Sequence, residues 1–462
     1  MLMKNTILAS LLTTAAVGVL IAQDPPPAQP PQQIDTVKTV ITGGPGLPPK
    51  LAVPDFIPLG GDPDTVAAAK LLGQVLWDDL NFEREFYLIS RDTYRTIPRP
   101  TSFNDVPLDR WKELGTDGLV VGTVRREGKN LVVQVKLVEV NSGRSAFAKE
   151  YSGSSDNPRF FAHTISDEIH MEQRNLRGVA RTKLAFTSNR DGERMTGPTE
   201  ARSIQNIYMS DYDGARQTRV TITKSLDITP VWAPDTRAIA YTSYRSGFPD
   251  IIVADIFGKR TNSTPAHGTP ESHNFLPAWS PDGSRLAFMS NRHGNPEIYV
   301  MNLGSKALTQ ITNHFSIDTE PTWSADGGTL YFTSDRGGQP QVYKAPAGGG
   351  SASRVSFQGS YNASPTVSYD GKKIATAQGA GNTYRIAMMD STLGSARWST
   401  LSPGSLDESP SFAPNGAMII YAAREGGRGV LYAVSADGRV RQRLVLAGGD
   451  VREPAWGPFR KP

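Results

Sequence analysis

Acidic and hydroxyl side chains return at one position of a repeating pattern in the second half of the chain. Asp227, His273, Leu276, Asp318, Thr319, Glu320, Asp407, Glu408 and Glu453 all stand just ahead of, or within one step of, a proline-led anchor. Carboxylates gathered around one opening could dock a partner surface, hold a weakly bound cation or, as a close pair, act as general acid and base. Taken singly, each is better explained as a solvated loop residue or a cap on turn N–H groups. Taken as a face, they read as a docking rim, because loops held on a rigid scaffold carry function. The aspartates inside the anchors, as in Pro281-Asp282-Gly283, have the chemistry of turns rather than of acid–base pairs.

Other catalytic patterns are missing. The 462 residues include no Cys, which excludes thiolate metal sites, iron–sulfur clusters, disulfides, cysteine nucleophiles and a lipid-modified N-terminal cysteine. There is no Gly-x-Ser-x-Gly elbow, no His-Glu-x-x-His and no Gly-rich phosphate loop. The six histidines are scattered. His163 and His170 share a predicted helix but lie too far apart in turn for a two-histidine metal face, and read as polar-face residues. No metal and no cofactor is expected. Lys plus Arg number 49 and Asp plus Glu 45, a balance of +4 that is too weak to argue for nucleic acid.

The anchors define the architecture that must position these residues. They begin at Pro230, Pro277, Pro321, Pro365, Pro410 and Pro454, at intervals of 47, 44, 44, 45 and 44. That period is one four-stranded propeller blade. Each proline starts a strand, where its missing N–H costs least. The residue two further on (Trp232, Trp279, Trp323, Val367, Phe412, Trp456) shares its face and can wedge between sheets. Pro-Asp-Gly then turns the chain, with Gly taking positive φ. Residues 184–190 form a second strand with no anchor before it, and residues 454–456 an anchor with no strand after it. Joined, they complete one blade. Six blades closed by the C-terminal strand are therefore predicted, leaving no open edge. An open β solenoid of the same period would give the split blade no purpose.

The first half reads differently. Residues 50–53, 86–89, 119–122, 131–140 and 145–151 suit strands, and Asp62-Pro63, residues 107–114 and Asn157-Pro158 mark helix starts. An α+β domain with a mixed sheet follows. Ahead of it, Lys4 and the apolar run 7–22 have the pattern of an export signal. A Pro/Gln-rich stretch follows from Asp24 to Gln33. The expected division is 1–22 signal peptide, 23–49 leader with a flexible N-terminal epitope, 50–178 mixed domain and 179–459 all-β propeller. The β-prone stretch Val37, Lys38, Thr39, Val40, Ile41, Thr42 follows the leader and suits reversible docking on a partner.

Several stretches resemble the TolB family: residues 165–169 (Ile-Ser-Asp-Glu-Ile), 181–186 (Arg-Thr-Lys-Leu-Ala-Phe), 318–323 (Asp-Thr-Glu-Pro-Thr-Trp), 338–344, 406–416 and 454–456. The likeness runs in order from about residue 34 to 459. It implies a non-catalytic, monomeric periplasmic component of the Tol–Pal system, serving outer-membrane integrity and cell division. It implies binding of the lipoprotein Pal by the propeller rim, which by position points to His273, Leu276, Thr319 and Glu320. It also implies an N-terminal segment offered to TolA, resembling Val37, Lys38, Thr39, Val40, Ile41, Thr42, Gly43 and Gly44. Leu276 is larger than the family's residue, and the Pro/Gln stretch is a departure. The alternatives from the residues alone are a propeller enzyme, such as a lyase or glycosidase with paired carboxylates or a metal in the channel mouth, and a propeller binding another ligand.

Overall fold

A computed structural model describes residues 32–33, 40–194, 203–256, 262–266, 268–390 and 398–460. The expected signal (1–22), most of the Pro/Gln stretch, and Val37, Lys38 and Thr39 lie outside the described residues.

The first domain is one mixed sheet with helices on both faces. In chain order its strands are β1 (Gln32–Gln33), β2 (Lys50–Ala52), β3 (Ile57–Pro58), β4 (Tyr87–Leu88), β5 (Gly118–Glu127), β6 (Asn130–Glu139) and β7 (Ser145–Ser154). They pair in the order β1-β7-β6-β5-β2-β4, with β3 also on β5. Pairings of β2 with β4 and β5, and of β3 with β5, are parallel, and the hairpins β5–β6 and β6–β7 are antiparallel. Side chains alternate between faces along a strand. Val120 and Val124 of β5 therefore face helices α1 (Pro63–Phe82) and α3 (Pro158–Arg174), packed with Leu72, Leu76, Leu80, Ile165 and Ile169. Leu119 and Val121 face the other way, towards Trp111 of α2 (Leu108–Glu113). Asp62 caps α1 by accepting from the Thr65 N–H at 2.9 Å, and Pro63 takes the first helical position. Asn157 makes no such side-chain cap on α3.

Residues 183–456 build six four-stranded antiparallel blades. Blade I joins Lys183–Ser188, Asn206–Asp211 and Thr218–Arg219 to the C-terminal strand Val451–Trp456, which pairs with Lys183–Ser188 from Val451 opposite Ser188 to Trp456 opposite Leu184. Blades II to VI begin with inner strands Asp227–Trp232, Asn274–Trp279, Asp318–Trp323, Tyr361–Val367 and Glu408–Phe412. The closure read from the split blade is thus present.

Two anchor aromatics tie blade to blade, and a third ties the closing strand to the linker. The Trp232 indole N–H donates to the Ala455 carbonyl at 3.2 Å, that of Trp323 to Ala278 at 2.9 Å, and that of Trp456 to Thr182 Oγ1 at 2.8 Å. The anchor turns work as expected: Asp282 accepts from the Ser284 N–H, and Gly283 takes φ +74°. Blade II replaces that Gly with Thr236, which takes φ +62° itself.

Candidate functional site

Each inner strand starts on one face of the propeller and ends in its anchor turn on the other. The first domain sits on the turn face, over blades I and VI. Asn415, in the anchor turn of blade VI, donates to Glu83 Oε2 at 2.8 Å. Tyr212, in a turn of blade I, donates to Asp79 of α1 at 2.7 Å. The opposite face carries the hairpins between second and third strands and the loops that lead into the inner strands. No described segment of the first domain covers it.

Residues expected on this rim divide into two groups. Asp227 and Asp318 open their inner strands and Asp407 stands one residue ahead of its own, but all three are buried. Asp227 accepts from Ser243 and Thr223, Asp318 pairs with Arg336 at 2.6 Å, and Asp407 accepts from the Gly404 N–H at 3.0 Å. Burial raises the carboxyls of Asp227 and Asp407 above the ordinary range, with hydrogen bonds opposing it. The expectation that these three offer carboxylates to a partner is corrected: the repeat uses the position to hold the strand start. Asn274 and Asn362 occupy it in blades III and V and are buried too.

His273, Leu276, Thr319, Glu320 and Glu453 are half-buried, and Glu408 is exposed. His273 is held by its own N–H on Asn291 Oδ1 at 2.7 Å and by Nε2 against the Pro270 carbonyl at 3.0 Å.

A strained ring lies beneath them. The residue before each anchor proline is in the left-handed region: Thr229 (φ +52°), Leu276 (+54°), Glu320 (+54°), Ser364 (+52°), Ser409 (+54°) and Glu453 (+50°). None is Gly, so each position costs about 1–2 kcal/mol. The cause is a bulge in every inner strand, seen as register shifts at the same place in all six. The strained residue and its proline together face one residue of the second strand, and the proline, which cannot donate, falls where no ladder bond is made. The opposed residue is a buried aromatic in five blades: Phe186, Tyr241, Phe288, Phe332 and Tyr421. Blade V has Thr376.

Neighbouring blades satisfy the bulged N–H groups. That of Thr229 donates to Glu453 Oε2 at 2.7 Å, that of Ser364 to Glu320 Oε2 at 2.7 Å, and that of Leu276 to Thr242 Oγ1 at 3.1 Å. Glu320 also accepts from the hydroxyls of Thr333 and Ser364. Glu453 is raised by burial, with the Thr229 N–H opposing. Glu320 and Glu453 sit three blades apart, on opposite sides of the ring, so they are not a close acid–base pair. Among the described residues, no group of three or more His, Asp or Glu side chains is placed to hold a metal.

The sequence reading missed an apolar feature of the same face. The loops leading into the inner strands expose Ile222, Phe315, Phe357, Leu406 and Val445, with Phe315 at 88% and Val445 at 79%. Each was visible as an apolar residue in a polar connection, but only the fold shows that they share a face.

The comparisons with known proteins bear on this geometry directly. Residues 37–146 match the model of the TolB amino-terminal domain and residues 174–460 that of the TolB beta propeller domain. The chain belongs to the TolB family. A Tol-Pal system protein TolB from Xanthomonas campestris pv. campestris (strain B100) is 50% identical over 376 residues, 79% of this chain and 83% of that protein. One from Xanthomonas oryzae pv. oryzae (strain MAFF 311018) is 45% identical over 375 residues, with the same coverage. The crystal structure of TolB from Acinetobacter baumannii superposes with TM-score 0.75 at 32% identity, covering 89% of this chain and 97% of that one.

In this TolB-family chain the N-terminal segment is partly tied down. Val40 is 48% exposed, whereas Ile41 is in the first domain's core, its N–H on Gln173 Oε1 at 2.9 Å. Thr42 is exposed, and Gly43 packs so closely on Leu47 and Pro48 that a Cβ would fall 2.5 Å from the Leu47 carbonyl oxygen.

The two helix histidines are a second correction. Neither lies on a polar face; both are buried, His163 where the domains meet and His170 beside Glu83 and Phe86 of the first domain. His163 Nδ1 is 2.8 Å from Asp79 Oδ2, and Asp211 of blade I is 3.8 Å from Nε2. Burial would lower the imidazole, but Asp79 and Asp211 raise it to about 10. Glu83, at the end of α1, accepts from the Val179 N–H at 3.1 Å as well as from Asn415. Burial, with Asp167 nearby, pushes it up to about 8. Linker residue Gly178 fits because a Cβ there would lie 2.5 Å from Asp167 Oδ1.

Proposed function

We propose that the chain is a non-catalytic periplasmic scaffold of the Tol–Pal system. Its uncovered propeller rim captures the lipoprotein Pal, through His273, Leu276, Thr319 and Glu320 with Glu408 and Glu453 beside them. Its N-terminal segment (Val37, Lys38, Thr39, Val40, Ile41, Thr42, Gly43, Gly44) engages TolA, after export directed by residues 1–22. The two contacts together serve outer-membrane integrity and cell division. The observation that carries the reading is the contrast of faces. One is occupied by the chain's own first domain, and the other offers a strained, hydrogen-bonded ring surrounded by exposed apolar loop residues. Strain held in place by its surroundings marks sites built to present groups to something else. Large apolar side chains repeated on one face suit a protein partner.

The test is capture of purified Pal by the exported protein. Thr319→Arg puts a long cation on the rim at a half-buried site and should weaken capture by at least about tenfold, or about 1.4 kcal/mol, with the melting temperature unchanged. Undiminished capture by a folded Thr319→Arg variant would overturn the rim assignment. Loss of TolA capture on deleting residues 34–44, with Pal capture retained, tests the other contact.

A further inference from the structure

The turn-face end of the propeller channel holds a cavity of about 480 Å³ that the partner contacts do not use. Its walls come from the ends of the inner strands, where Trp232, Trp279, Trp323, Phe412 and Trp456 converge. Blade V breaks the pattern: it places Val367 where the others place an aromatic ring. Tyr369 of the same blade also lines the cavity and is half exposed.

The solvent side of the cavity is cationic. Arg177, in the linker between domains, is exposed and stacks on Phe459, its guanidinium carbon 3.8 Å from the ring centre. Its Nη2 donates to the Arg460 carbonyl at 3.2 Å, so linker and C-terminal tail together frame the entrance. Among the described residues no lining side chain is acidic and Arg177 makes no ion pair. Aromatic faces alone would favour a cation. A guanidinium at the entrance with no carboxylate paired to it among the described residues reverses that preference, since a full charge acts more strongly than a ring quadrupole. The size and the mostly apolar lining are those of small-molecule sites.

We propose that this cavity binds a small amphipathic anion, an aliphatic or aromatic carboxylate whose apolar body lies among the anchor rings and whose head group meets Arg177. The site is independent of the rim, on the opposite end of the channel, so it stands or falls apart from the scaffold reading.

Four of the chain's seven tryptophans line the cavity, so intrinsic fluorescence reports on it. The full mature protein is titrated with sodium octanoate below its micelle concentration, and in parallel with octanol and with octyltrimethylammonium. Calorimetry serves as a second readout. The expected result is saturable octanoate binding, with octanol weaker and the cation weakest. Arg177→Gln should weaken octanoate by about tenfold, the scale of one charge-assisted contact, and bring octanol and octanoate together. Val367→Trp restores the sixth ring and should abolish binding at an unchanged melting temperature. Ala325→Phe, at an exposed lining position, gives a second block should the Trp variant fold poorly. Absence of saturable octanoate binding, survival of binding in a folded blocked variant, or equal or tighter binding of the alcohol or the cation would each overturn the proposal.

Discussion

The two faces of the propeller are held by different means. On the turn face, buried charge and aromatic contact weld the first domain to blades I and VI. His163 lies against Asp79, Tyr212 donates to the same carboxylate, and Phe82 packs edge-on to Tyr212 with ring centres 4.9 Å apart. On the rim, polar groups answer one another around a ring of strained residues, while apolar side chains stand in solvent. The first arrangement fixes two bodies in one geometry. The second presents a surface that no described segment of the first domain covers. The same repeat thus packs a domain against one end of its strands and leaves apolar loop residues exposed at the other.

That contrast can be broken most forcefully at the seal of the ring. Trp456 is in the closing strand, packs near Phe82 and donates to Thr182. Trp456→Ala should cost about 3–5 kcal/mol, the usual loss for a buried Trp, read by chemical denaturation. Asp79→Asn comes next. It strips His163 and Tyr212 of their shared carboxylate and should cost about 3 kcal/mol, as when one partner of a buried pair is removed. Neither change should alter Pal capture by the folded fraction; if either does, the faces are not separable.

Alkaline pH sharpens the comparison with a smaller effect. Glu83 faces Asp167, Glu85, His170 and Asn415, and is pushed up to about 8 from 4.5. His163 faces Asp79, Asp211, Tyr212 and, through Asp211, Arg159 and Lys183, and is raised to about 10 from 6.5. Both folded values lie above the unfolded ones. Their contribution is therefore complete below the unfolded values and is lost as pH rises through about 8 and then about 10. Asp211 is held low by His163 and Lys183 against the pull of burial, so it stays ionised across that window. The melting temperature should fall between pH 7 and 10, and Glu83→Gln should flatten the earlier step. The smallest stability effect belongs to the rim. Phe315→Ser with Phe357→Ser should move stability by no more than about 0.5 kcal/mol and yet weaken Pal capture.

The repeat was legible because it is regular. Six prolines at one spacing, and a strand left over at each end, require a ring. The α1 cap was legible because Asp62-Pro63 is local chemistry. What escaped was set by tertiary context. Spacing on α3 says that His163 and His170 do not share a metal face, but not that His163 will be buried against Asp211 and Tyr212 of a blade and His170 against Glu83 and Phe86. Asp227, Asp318 and Asp407 looked like rim carboxylates, and only Ser243 of a second strand, Arg336 in the turn after one, and the loop N–H of Gly404 reveal them as internal braces. Ile41 belongs to a β-prone run, and only Gln173, more than a hundred residues on, shows that it is fastened. Left-handed residues ahead of proline have no sequence signature, because Thr, Leu, Glu and Ser all serve.

The split blade has a mechanical consequence. α3 leads through residues 175–182 into Lys183–Ser188, the strand to which the chain's far end is paired. A tensile load applied at the amino-terminal end therefore enters the toroid at its clasp rather than at a continuous blade. Whatever tugs on that end pulls first against the Asp167 brace on Ala180 and Arg181, and then against the clasp itself.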